Sequence, residues 1–326
     1  MSNTVNLGRE TYQIDIYEGG KPERTSVYLI RGAKTALVEV GASSCTENLL
    51  SGLDSLNISL PSIDYIILTH IHIDHAGGAG TLIKKTPNAR LMVHPRGARH
   101  LINPARLVEG TRAAYSVYDN CFDQVFGQVE PVEEECIYTP EEGEQLDLGK
   151  GRVLTFYYTP GHARHHMAIY DGLTRGLFCG DALGAVYRPL SRIIGRDFVI
   201  PATPPSEFEP AEGIAVCDMI GGIAPEVLYF SHFGISKNVG YILERNRQLL
   251  QQFTNSAGRI LSENGSVKDV EDKFWELINM QISEFSNLDL RQFIPLIDVQ
   301  LCAEGIVDYL KKEGRKNQAK GVRIVE

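Results

Sequence analysis

The chain has 326 residues, 43% hydrophobic and 22% charged, enough for one large domain or one domain plus a smaller one with a substantial core. Its formal net charge of −9 argues against nucleic acid as the main partner, because a phosphate backbone needs a basic footprint. No 18-residue apolar window and no apolar N-terminal stretch occur, so neither a membrane span nor a signal peptide is expected. The six cysteines (45, 121, 136, 179, 217 and 302) form no C-x-x-C pair and are expected as reduced thiols in a cytoplasmic protein.

In chain order, short apolar runs punctuated by glycine predict strands around Ile14–Ile16, Ser26–Ile30 and Ala36–Val40. Helical spacing follows over Thr46–Leu56, then strands over 64–69 and Ala89–Val93. Residues 95–127 read as a helical insertion, with Tyr115, Tyr118, Phe122, Val125 and Phe126 at helical spacing. The acidic stretch Glu130–Glu144 reads as a solvated loop. Strands resume at Val153–Tyr158, His166–Tyr170, Gly176–Cys179 and Val227–Phe230. A catalytic α/β domain over 1–238 and a helical extension over 239–326 are expected. The extension has one helix through Ile242–Leu261, one opened by a Ser266/Asp269 capping box, and a third over Ile294–Leu310. The basic tail (Lys311, Lys312, Arg315, Lys316, Lys320, Arg323) reads as a solvated end, and the apolar helical face offers a surface for a homodimer.

The chemistry concentrates after strand 64–69. His70, His72, Asp74 and His75 place four metal-type donors in six positions, and residues two apart on an extended segment address one point. A single histidine is usually a hydrogen-bonded core or surface group. Four such groups packed together without a cation would be desolvated without a partner. His162 in Thr-Pro-Gly-His, Asp181 in Cys-Gly-Asp and His232 in Ser-His-Phe-Gly also follow strands, on what would be one rim of a sheet. Each of these alone would read as a turn residue.

The series H-x-H-x-D-H, T-P-G-H, G-D and S-H-F-G resembles the metallo-β-lactamase superfamily over roughly residues 10–235. The resemblance implies an αββα sandwich with a C-terminal helical extension. It assigns His70, His72 and His162 to one metal, Asp74, His75 and His232 to a second, and Asp181 as the bridge. The insertion and the helical C-terminus resemble a prokaryotic group of stand-alone hydrolase-like members. Two divalent ions, zinc by default with iron or manganese also fitting the donors, would share a hydroxide that attacks a small ester, lactone or thioester. By the same analogy Asp74 would also carry a proton to the leaving group. Small phosphodiesters are an alternative substrate. An iron-dependent oxidoreductase or a low-turnover regulatory protein are alternative roles, although the flavin-linked di-iron group typically has Glu where this chain has His72.

Tyr187, His100 and Arg106 are the candidate substrate contacts. For Tyr187 a packed aromatic, and for His94 and His100 a place on the surface of the insertion, are the simpler expectations. His166 is expected to support the site without ligating. The Gly77–Gly80 run does not match G-x-G-x-x-G, and no G-x-S-x-G elbow exists, so neither a dinucleotide loop nor a Ser-His-Asp hydrolase is indicated.

Overall fold

The computed structural model describes residues 3–115 and 122–319, and the elements counted below are those of the described residues. Four strands open the chain: β1 (Thr4–Gly8), β2 (Thr11–Asp15), β3 (Ser26–Arg31) and β4 (Thr35–Val38) form an antiparallel meander. Helix α1 (Thr46–Ser55) leads to β5 (Tyr65–Ile67), and α2 (Ile73–Ala76) with α3 (Ala79–Ile83) leads to β6 (Arg90–Met92). Helices α4 (Pro95–Ile102), α5 (Ala105–Ala114) and α6 (Phe122–Phe126) then precede β7 (Ile137–Tyr138). Strands β4 to β7 are parallel and complete a seven-stranded sheet.

The second sheet starts with an antiparallel set, β8 (Gln145–Gly149), β9 (Arg152–Tyr158), β10 (Met167–Asp171) and β11 (Gly176–Gly180). A long crossover holds the small pair β12 (Ala185–Val186) and β13 (Val199–Ile200), with α7 (Arg188–Ile194) between them and α8 (Pro210–Ile223) after them. It returns β14 (Val227–Phe230) parallel to β11, and β15 (Gly234–Ser236) closes the edge. Helices α9 (Val239–Ser262), α10 (Val267–Met280) and α11 (Leu296–Ala319) follow.

Alternation along the strands builds the layers. In β3, Tyr28 and Ile30 face inward onto Leu154, Phe156, Ile169 and Phe178 of the second sheet. Val27 and Leu29 face outward, into the layer that holds Leu49 and Leu53 of α1 and Leu82 of α3. On the other side, Leu177, Leu228 and Phe230 meet Val216, Cys217 and Ile220 of α8 and Ile242 of α9. The order is helix, sheet, sheet, helix. A fourth cluster joins α9, α10 and α11 to α7 and β13, with Phe253 stacked on Phe274 at 4.0 Å between ring centres.

Most expected strands lie within a residue or two of their place, and the capping box is present: Asp269 N–H donates to the Ser266 hydroxyl and Ser266 N–H to the Asp269 carboxylate. Four expectations change. Strand 64–69 ends at Ile67, so His70 and His72 follow in a loop and Asp74 and His75 in the short helix α2. The acidic stretch contains β7, which pairs with Leu91 and Met92. The insertion is three short helices, with Tyr118 outside the described residues. The third C-terminal helix starts at Leu296 and runs to Ala319, well past Leu310.

The sheets are tied together at the edge where the donors emerge. The Tyr28 hydroxyl donates to the carbonyls of Phe230 and Gly234 (2.6 and 2.9 Å). Ser26 N–H donates to Ser231 O (2.7 Å), and Met167 N–H to Thr69 O (2.7 Å). A second tie holds the far end. Arg152, fully buried, pairs with Asp171 (2.6 Å), donates to the Thr11 hydroxyl (2.6 Å), and reaches the carbonyls of Arg9 and Glu10. Removing Asp171 would leave that guanidinium buried and short of its counter-charge. Asp171→Ala is therefore expected to lower unfolding free energy by about 3–5 kcal/mol; a denaturation shift below about 1 kcal/mol would count against this role.

Candidate metal centre and cavity

The loop after β5 is anchored by apolar side chains between the polar ones. Ile71, Ile73 and Ala76 are buried in the outer helical core, while His70, His72, Asp74 and His75 converge on the rim. His72 is the residue preceding α2, and Asp74 and His75 lie in that short helix. The other donors come from the second sheet: His162 follows β9, Asp181 follows β11 and His232 follows β14. The turn before Asp181 admits only glycine. Gly180 has φ +49°, and a Cβ there would sit 2.5 Å from both His166 Nε2 and Thr69 Oγ1.

The donors separate into two sets. His72 Nδ1 lies 3.1 Å from His70 Nε2 and 3.0 Å from His162 Nε2. In the second set His232 Nε2 lies 3.1 Å from His75 Nε2 and 3.2 Å from Asp74 Oδ2. Asp181 stands between them, with Oδ1 3.5 Å from His75 and Oδ2 3.7 Å from both His162 and His232. Nitrogens bound to one tetrahedral zinc at 2.0–2.1 Å are about 3.3 Å apart, close to the spacing seen here.

Four of the five histidines are held with Nε2 toward the centre by what their Nδ1 touches. His162 Nδ1 faces Ala202 O (2.9 Å), and His75 Nδ1 faces Glu39 Oε1 (3.2 Å). His70 Nδ1 faces the Thr69 hydroxyl (3.0 Å), which donates onward to Glu39. His232 Nδ1 faces the Thr25 hydroxyl (3.2 Å), which donates to Glu18. Glu39, His70 and His75 also lie close together. Glu39 meets the Nδ1 side of His75, however, so it supports the centre from behind and lies outside both donor sets.

Electrostatics divides the sets in the same way. Burial, then His75, His72 and His162, holds His70 well below the usual imidazole range, and burial with His162 pushes His72 down to about 3. Burial also lowers His162. Burial alone would lower His75 and His232 too. Asp181, Asp74 and Glu39 outweigh it and raise His75, while Asp181 and Asp74 raise His232 to about 9. Burial alone would raise Asp74 and Asp181, yet His75 and His232 hold both well below the carboxylate range. Asp181 Oδ1 is buried with no hydrogen-bond partner. A lone carboxylate oxygen among converging imidazole nitrogens is what divalent ions would satisfy, so the residues present fit two metals.

The centre forms the floor of a cavity of about 1020 Å³, reached by His72, Asp74, His162, Asp181 and His232. Tyr187, His100 and Arg106 all line it. Tyr187 is therefore a cavity residue rather than only a packed aromatic, with its hydroxyl donating to Asp298 (2.9 Å). His100 is half-buried and lines the cavity. His94 is corrected from its expected surface position: it is buried and caps α4 by accepting from Arg96 N–H (3.1 Å). His166 uses both nitrogens, toward the Thr159 hydroxyl and Asp181 N–H, which leaves none for ligation. The sequence reading missed Glu39, His165 on the cavity wall, and the group Glu18–Arg24–Asp298, in which Arg24 lies 3.6 and 3.7 Å from the two carboxylates.

The sequence model of the metallo-beta-lactamase superfamily matches residues 20–232. The chain belongs to this superfamily. It is similar to the metallo-beta-lactamase fold-containing protein ST1585 of Sulfurisphaera tokodaii, 32% identical over 185 residues, 56% of this chain and 63% of that protein. The crystal structure of ST1585 superposes with a TM-score of 0.60, covering 76% of this chain and 86% of that one. The family protein TTHA1429 of Thermus thermophilus, 20% identical, shares the fold over 95% of each chain with a TM-score of 0.66. The anaerobic nitric oxide reductase flavorubredoxin of Pectobacterium atrosepticum is 29% identical over 161 residues, 49% of this chain but 26% of that longer protein. The chain thus spans less than two thirds of these curated relatives. No described helix is long and apolar enough to cross a membrane, and the five described cysteines are free.

Elemental analysis is expected to give about two divalent ions per chain, and the His72→Ala/Asp181→Ala double variant to lose them; full metal content in that variant would count heavily against the two donor sets. Asp181 and Asp74 favour holding a proton on the adjoining His75 and His232 rings, whereas ligation needs both imidazoles neutral. Filling the second set should therefore release protons, and its affinity should fall more than that of the first set as pH drops from about 8 to 6. Zinc calorimetry in buffers of different ionisation enthalpy reads both.

Proposed function

We propose that the chain is a dinuclear metal-dependent hydrolase of a small-molecule ester, lactone or thioester. The observation that carries this reading is the convergence of two three-donor sets on the floor of a cavity, with the buried, unpartnered Oδ1 of Asp181 between them. Divalent ions held there, zinc by default and iron or manganese as alternatives, would supply a water of lowered pKa and polarise the substrate carbonyl.

The chain's own residues set the rest of the chemistry. His70, His72 and His162 present neutral imidazoles, fixed in orientation by Thr69, the backbone and their mutual packing. Asp74 lies on the cavity surface, half-buried, with Oδ2 beside His232 and His75. This places a carboxylate where a proton could pass to a leaving oxygen or sulfur. Loop 18–24 and the segment 200–207 wall the centre on two sides, so substrate water is displaced on entry.

Relatives named as nitric oxide reductase flavorubredoxins support a second reading, an iron-dependent oxidoreductase. It ranks lower because the match spans only 26% of the flavorubredoxin and because His72 belongs to a three-imidazole set.

Chelation is expected to abolish ester or lactone hydrolysis and added zinc to restore it. Asp74→Asn should lower kcat by about 10²–10⁴-fold. No metal-dependent turnover across an ester, lactone, thioester and phosphodiester panel would sink the hydrolase reading. Consumption of dioxygen or nitric oxide by the iron-loaded protein would put the redox reading in its place.

A further inference from the structure

The cavity is larger than the reacting group of a small ester needs. At about 1020 Å³ it lies at the upper limit of the ~300–1,000 Å³ usual for drug-sized ligands. Two helices from different parts of the chain present one face each to it. On α5 the face is Leu107, Gly110, Thr111 and Ala114, at the spacing of successive turns. From the C-terminal part, Ile294 and Pro295 lead into α11, whose Leu301 and Cys302 also line the space. Val125, Phe126, Val186 and Ile200 close the sides.

One charged group along this wall is already internally partnered. Arg24 lies between Glu18 and Asp298, and Asp298 accepts from Tyr187. This group therefore asks for no ionic partner from a ligand. Lys21, Arg106 and Arg291 are exposed and belong to the mouth. Gly110 is exposed and lines the space, and a Cβ there would meet no atom within 4 Å, so a larger side chain fits at this position. An acetyl group would leave most of this apolar surface facing water.

We propose that the substrate carries an apolar acyl chain of roughly six to ten carbons, lying between α5 and the start of α11 with its carbonyl at the metal end. This inference rests on the hydrolase reading for its chemistry, but the chain-binding wall is independent of turnover. Each methylene moved from water into the wall is worth about three- to fourfold in affinity.

The test uses the zinc-reconstituted full chain with p-nitrophenyl acetate, butyrate and octanoate, and calorimetry with decanoate on metal-free and metal-loaded protein. The ratio of octanoate to acetate kcat/KM is expected to exceed about 50-fold, most of it in KM. Decanoate should bind both forms of the protein. Gly110→Trp, which fills the space from a helical position with ordinary φ, should cut the octanoate-to-acetate ratio at least about tenfold and weaken decanoate binding. Gly110→Leu, a gain in helix propensity, serves if the Trp variant does not fold. Equal kcat/KM for acetate and octanoate, or no decanoate binding by wild type, overturns the proposal. Decanoate binding that depends on position 110, without turnover of any ester, upholds the chain site and fails the hydrolase reading instead.

Discussion

The structure depends on holding the rims of two sheets in register. Four donors leave the first sheet and three leave the second, so neither of the two donor sets lies wholly on one of them. The ties are short: two are backbone, Ser26 to Ser231 and Met167 to Thr69, and two run from the Tyr28 hydroxyl to the carbonyls of Phe230 and Gly234. Each lies within a few residues of a donor. Backbone hydrogen bonds fix position better than side-chain packing because they leave few rotamers free. The inter-sheet core of Tyr28, Phe156, Ile169 and Phe178 supplies cohesion, and these bonds supply registration.

Registration brings together groups that repel or starve one another. Imidazoles stripped of water meet two carboxylates, and one carboxylate oxygen is left without a donor. Such an arrangement is costly unless something else neutralises it. Glu39 shows how far the surroundings are bent toward this end. It is fully buried and takes the left-handed φ of +69°; its Oε1 accepts from Thr69 and Ser231 and faces His75 Nδ1, while its Oε2 is buried with no hydrogen-bond partner. A side chain in that backbone region costs roughly 1–3 kcal/mol, and it is kept where it aligns two histidines from behind.

What the sequence made legible was local. Apolar runs such as Val227–Phe230 and the cluster of His70 to His75 announce themselves within a few residues. Helix α8 did not, and the reason is physical. It packs on the second sheet beside α9, buries Val216, Cys217 and Ile220, and carries three glycines, so few polar residues mark its exposed face. Strand β7 hides in an acidic stretch because an edge strand needs only two residues and one neighbour. Glu39 reads as one more acid at a strand end. Arg24 and Asp298 are separated by 274 positions, and only tertiary packing shows that they share a wall (298 − 24). The donors were thus readable from motif, whereas the room around them was not.

The superfamily match ends at residue 232, the last candidate donor, while α11 begins 64 positions later (296 − 232) and still reaches back to line the cavity. Part of the room beside the reacting centre is therefore written beyond the stretch that holds the donors. Changes in α11 would reshape what fits without disturbing a single donor. Selectivity here can be inherited and remodelled separately from reactivity.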